Sequence, residues 1–155
     1  MQRFSIFIFL TALLLPCGAW AGPLPDGGVT VQEVARSLQV KGFMTDITTD
    51  KDGDPLIKSM LEGAKFSVYF YECGKPRCKS IQFAAGFVMK GTMQASQVAD
   101  WNRTKRFGRV YLDRESDPWI EMDMDLEHGA TTEAMANNLA RWMLVLSEFR
   151  KYIGR

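Results

Sequence analysis

The chain has 155 residues, 46% of them apolar, enough for one ordinary domain with a real core and too few for two full ones. Its 19 basic and 18 acidic side chains nearly cancel, which argues against a partner held by bulk electrostatics, nucleic acid above all. With one histidine and three cysteines, it has few of the groups that metal and nucleophile chemistry need.

Residues 1 to 21 read as a secretory signal peptide cleaved after Ala21. Arg3 gives a short basic start, "FSIFIFLTALLL" a largely apolar run, and Ala19 and Ala21 the small residues of a cleavage site. A membrane anchor would need a run of about 20 residues, and Gly22, Pro23, Pro25 and Gly27 follow at once. A lipoprotein signal ending at Cys17 would want a small residue where Pro16 stands. Cleavage leaves 18 basic against 18 acidic side chains and no stretch that spans a membrane. A periplasmic or secreted protein is expected, away from nucleic acid.

Residues 22 to 29, "GPLPDGGV", read as a flexible leader, and residues 30 to 155 as a single domain. Thr30 and Glu33 form a capping box, and Val31, Val34, Ala35 and Leu38 line one face of a helix ending at Gly42. "FMTDITTDKDGDPLIKSML" then gives two short strands about a turn at Asp50 to Pro55. Its alternating aspartates resemble the opening of a calcium loop, but Gly53 comes early, Leu61 stands where the closing carboxylate belongs, and strands flank it.

A hairpin follows. Phe66, Val68 and Phe70 share a face, as do Ile81, Phe83, Ala85 and Phe87. Cys73 and Cys78 are the two cysteines left after export, and an even count in an oxidising setting reads as a disulfide. Zinc would need more ligands than two thiolates and the distant His128, and a redox motif wants two intervening residues rather than four. Placing Cys73 opposite Cys78 sets 70 against 81 and 68 against 83, so both apolar faces coincide.

Ser96 can cap a helix over "QVADWNRT". Two strands come next, "RFGRVYLD" and "PWIEMDMDLE". Ile120, Met122, Met124 and Leu126 face inward, and Glu121, Asp123, Asp125 and Glu127 form an outer acidic stripe. With Val110 and Leu112 buried, Phe107, Arg109 and Tyr111 lie level with that stripe, provided the loop is odd, such as Asp113 to Asp117. Arg109 then has an acidic neighbour within the sheet, while Arg103 and Arg106 have no evident partner. The closing helix, capped by Thr131 or Thr132, carries Met135, Leu139, Trp142, Leu146, Phe149 and Ile153 toward the sheet. Ala136, Ala140, Met143, Val145 and Tyr152 broaden that face enough to meet a second subunit.

No catalytic motif emerges. His128 sits in the turn "EHGATT" without a nucleophile signature, and "GFVMKGT" has the glycine spacing of a phosphate loop but Thr92 where its lysine belongs. "NRT" at 102 to 104 fits an N-glycosylation acceptor.

Together, "WNRTKRFGRVYLD", "PWIEMDMDL" and the closing "LARWMLVLSEF" make residues 30 to 153 resemble the bacterial YbjN family. The resemblance implies an α+β fold similar to type III secretion chaperones, an antiparallel sheet flanked by N- and C-terminal helices. The family's label, sensory transduction regulator, names no reaction and no ligand. The expectation is a non-enzymatic, exported binding or chaperone-like module with no metal or cofactor, engaging a protein or peptide partner and able to form a homodimer. The alternative is a small-molecule or anion sensor using Arg103, Arg106 and Arg109.

Overall fold

The computed structural model describes residues 22–24, 27–74, 76–89 and 91–155, so the signal segment lies outside the described residues. In chain order the elements are β1 (Pro23–Leu24), α1 (Val31–Val40), β2 (Asp46–Thr49), β3 (Pro55–Leu61), β4 (Ala64–Gly74) and β5 (Arg77–Gly86), followed by α2 (Ala95–Thr104), β6 (Arg109–Leu112), β7 (Pro118–Asp125), β8 (Ala130–Thr131) and α3 (Thr132–Tyr152). The fold is α+β. Six antiparallel strands run in the order β2-β3-β4-β5-β7-β6, and β1 pairs with β8 in a separate two-stranded ribbon.

One face of the large sheet is the core face. Phe66, Val68 and Phe70 of β4, Ile81 and Phe83 of β5, and Ile120, Met122 and Met124 of β7 are buried there with residues of all three helices. Trp142 of α3 sits at the centre, stacked on Phe83 at 5.6 Å and edge-on to Phe66 at 6.0 Å. Farther along α3, Phe149 meets Trp101 of α2 at 5.1 Å. The stripe on α3 is as its spacing predicts, with Val145 also buried and Ile153 serving as the C-cap.

Local chemistry explains the ends of the elements. The capping box of α1 is present, with Thr30 N–H donating to Glu33 and Glu33 N–H to the Thr30 hydroxyl. Burial raises the Glu33 pKa, but the Thr30 N–H and the Arg77 guanidinium outweigh it and hold the carboxyl below its ordinary value. For α2 the N-cap is Gln94 rather than Ser96. The Gln97 carboxamide accepts from the Gln94 N–H at 2.9 Å, so the helix starts a residue before the serine. Thr131 is the cap of α3.

Cys73 and Cys78 are disulfide-bonded and directly paired, with Phe70 opposite Ile81 and Val68 opposite Phe83. Pairing continues to Gly74 opposite Arg77, tighter than the four-residue loop that the spacing suggests. So small a loop stabilises by about 2 kcal/mol through loop-closure entropy.

The leader is not a free link where it is described. Pro23 and Leu24 pair with Thr131 and Ala130, and Val29, fully buried, exchanges two backbone hydrogen bonds with Cys78. Gly28 passes so close to the Cys78 carbonyl that a Cβ there would overlap it. Arg77 holds this strap in place, donating to the Gly28 carbonyl and pairing with Glu33 at 2.9 Å. A Pro/Gly-rich composition conceals the docking, because its bonds are made by backbone groups.

The two hairpins at the rim of the sheet, β2–β3 and β6–β7, share one turn. Asp50 N–H donates to the Asp54 carbonyl, and the Asp50 carboxylate accepts from the N–H groups of Asp52 and Asp54. Asp113 does the same with Asp117 and Glu115. Gly53 has φ 91°, and Ser116 takes the same left-handed place at φ 66°. The odd-length loop thus aligns Val110 with Ile120 and Arg109 with Glu121 as the alternation requires.

Candidate functional site

The segment with the strongest charge pattern, residues 102 to 111, is pinned at both ends. Trp101 is fully buried and donates its indole N–H to the Gly108 carbonyl at 2.8 Å. Asn102 uses its whole carboxamide on Val110, accepting from its N–H and donating to its carbonyl, both at 2.9 Å. That explains a sequence feature that resembles a glycan acceptor: the amide nitrogen already serves the fold. Gly108, at φ 79°, leaves no room for a Cβ, whose place Val145 and Ile120 occupy. The strand therefore begins at Arg109 rather than Arg106, and Lys105, Arg106 and Phe107 are pushed outward as a short ridge.

Phe107 remains 38% exposed on that ridge. The Arg106 guanidinium lies 5.2 Å from its ring centre and the Arg141 guanidinium, from α3, 4.4 Å. Guanidinium–ring stacking of this kind is worth about 0.5–1 kcal/mol at exposed sites. Toward α3 the ridge borders a cleft of about 570 Å³ with Arg141, Leu144 and Glu148 on its far side. Leu144 is 67% exposed there. Lys105 closes one end through Glu148 at 3.0 Å. Toward the open face of the sheet, the same ridge borders a second cleft, of about 560 Å³, reaching Arg109, Glu121 and Asp123.

The three arginines singled out by the sequence have different fates. Arg109 pairs with Glu121 at 2.6 Å, across the strands as the alternation implies. Glu121 is not a solvated member of the acidic stripe: it is only 8% exposed, because the Tyr111 hydroxyl takes its other oxygen at 2.8 Å. Burial, then donation to Glu121, raises the Tyr111 pKa well above its ordinary value, and Glu121 likewise raises that of Arg109. Arg103 pairs with Asp100 on the surface of α2 at 2.6 Å. Arg106 has no carboxylate partner among the described residues. Arg106 and Arg109 line one cleft, which Arg103 does not reach.

Arg141 and Leu144 complete the ridge and escaped the sequence reading. Their signal was a second line on α3, Asn137, Arg141, Leu144 and Glu148, at helical spacing opposite the apolar stripe. A leucine among polar residues on such a line marks an exposed apolar contact.

The ridge offers cations, an aromatic ring and a leucine, groups that bind without reacting. His128 is exposed in the turn between β7 and β8. Among the described residues no three His, Cys, Asp or Glu side chains are gathered to hold a metal ion, and no helix is long and apolar enough to cross a membrane.

The model of the YbjN family, described as "Putative bacterial sensory transduction regulator", matches residues 30–155, and the chain belongs to that family. No curated protein matches it.

Proposed function

We propose that this YbjN-family chain is a non-enzymatic, exported regulatory module that holds an acidic protein segment against the Phe107 ridge. The observation that carries the reading is one exposed aromatic ring flanked by Arg106 and Arg141, neither with a carboxylate partner among the described residues, beside an exposed Leu144. Aromatic and arginine side chains dominate the energetic centres of protein interfaces. Two uncompensated guanidiniums select carboxylates, and Phe107 with Leu144 selects an apolar side chain between them. Such a role is chaperone-like: a segment is bound and released unaltered. Export to the periplasm rests on the signal-like residues 1 to 21 and on the Cys73–Cys78 disulfide, a bond suited to an oxidising compartment.

Fluorescence anisotropy with three labelled peptides tests the reading: one acidic with a central leucine, one acidic without it, and one with lysines for the acids. Binding of the first alone, weakened at least about tenfold by Arg106→Glu with Arg141→Glu, is the expected result. Equal binding of all three, or none, overturns it.

A second reading has its own observation, that Arg106 and Arg109 border one cleft. A small anion held there would raise the melting temperature in phosphate or nucleotide, and Arg106→Ala would abolish the rise. No rise with any anion leaves the arginines to the protein segment.

A further inference from the structure

The six-stranded sheet ends in two edges that are treated differently. At β6, alternation along the β6–β7 ladder turns the N–H and C=O of Val110 outward, and the Asn102 carboxamide bonds both. At β2, the Asp50 N–H to Asp54 carbonyl bond fixes the phase of the β2–β3 ladder. Asp46 and Thr48 therefore bond toward β3, and Thr45, Ile47 and Thr49 present their N–H and C=O to the outside. No side chain among the described residues bonds these outward groups. Its protections are limited to its short length and the charge of Asp46: β2 carries no lysine, proline or bulge. Ile47 is 47% exposed and Met44, beside it, 87%.

We infer that β2 pairs with β2 of a second copy of this chain, antiparallel about a two-fold axis at Ile47. The sequence of the edge is complementary to itself in that register. Ile47 meets Ile47, and Thr45 meets Thr49 on either side, so every outward-bonding pair is β-branched, a combination favoured across strands. On the intervening positions Asp46 meets Thr48 and Asp50 meets Met44. No like charges face each other, and Asp46 keeps Lys58 as its cross-strand neighbour on β3. An axis one residue away would bring inward-bonded groups face to face, and an axis two residues away, at Thr45 or Thr49, would leave some of the three outward residues beyond the overlap, so phase and overlap together select this register. Gln39 ties the last turn of α1 to Thr45 at 2.8 Å, which places that helix end beside the axis. A contact resting on one short strand is smaller than a standard stable interface, so the dimer forms and separates with concentration. The Phe107 ridge adjoins the opposite edge of the sheet, so its occupancy and this pairing are separate questions.

Sedimentation velocity of the full mature chain over a hundredfold concentration range is the test. The wild type is expected to shift from monomer to dimer. Ile47→Lys, which sets two ammonium groups against each other on the axis, is expected to stay monomeric at every concentration with its melting temperature unchanged at the dilute end. Arg106→Glu should dimerise like the wild type. Ile47→Cys should form an intermolecular disulfide on mild oxidation, whereas Ser59→Cys, on β3, should not. A wild type that stays monomeric throughout, or a dimer that survives Ile47→Lys, overturns the inference.

Discussion

The two rim hairpins are built alike and end differently. Each closes with an aspartate whose carboxylate gathers two backbone N–H groups and with a left-handed residue three places on. Each leaves one strand at the edge of the sheet. Yet at β6 Asn102 bonds the outward N–H and C=O of Val110 and leaves only those of Leu112 open, while no side chain among the described residues bonds the outward groups of β2. Local turn chemistry thus makes a hairpin, whereas the fate of its edge is set by a side chain from outside it.

The largest effect should come from loosening the edge that Asn102 bonds. Gly108→Ala puts a Cβ into Val145 and Ile120 and forces a left-handed alanine, at a cost of roughly 2–4 kcal/mol by overpacking and backbone strain. A chemical denaturation midpoint unchanged from the wild type would show that the junction is less tightly packed than this. Next in size is Asn102→Ala, which removes both bonds to Val110 and should cost about 1–2 kcal/mol. It should also leave the outward groups of Val110 as well as Leu112 open at β6, so light scattering should detect species larger than a dimer. If the variant instead behaves as the wild type does, the carboxamide is no seal.

The matched turns predict a smaller pair of changes with opposite signs. Ser116→Gly relieves a left-handed serine and should stabilise by about 0.5–1 kcal/mol. Gly53→Ala, with open space around it but φ 91°, should destabilise by about 1 kcal/mol. Thermal unfolding of the two variants separates these signs, and a shared sign would mean that the turns are not equivalent.

Smallest is a pH effect. The Asp117 N–H first, then Trp119 and Glu115, hold the Asp113 carboxyl below its ordinary value of 3.8. A depressed carboxyl contributes stability that is complete above its unfolded pKa and is lost as pH falls through the lower folded value. Asp113→Asn should therefore narrow the stability difference from wild type as pH drops below about 4, measured as denaturant midpoints across that range. A constant difference would remove Asp113 from the account.

Much of the sheet was legible because its signals are local or two-periodic. The disulfide and the apolar alternation gave one register for β4 and β5, and the odd loop placed Arg109 level with Glu121. The ridge was harder to read. Gly108 makes the strand start late because Val145 of α3 fills the space where its Cβ would stand, and no window of sequence around residue 108 contains that helix. Asn102 looked like a modification site because its bonds to Val110 form only after α2 turns back on β6. Arg141 meets Phe107 through packing of α3, far along the chain. The buried state of Glu121 depends on Tyr111 and Arg109 closing over it, where alternation alone predicts a solvated carboxylate.

The contrast between the edges is tested most directly by amide hydrogen exchange, read at Val110, Ile47 and Thr49 in dilute and in concentrated protein. Val110 should exchange slowly at both concentrations. Ile47 and Thr49 should exchange fast when dilute and be protected when concentrated, as β2 finds its second copy. Fast exchange at Val110, or an Ile47 amide whose rate ignores concentration, would contradict the account.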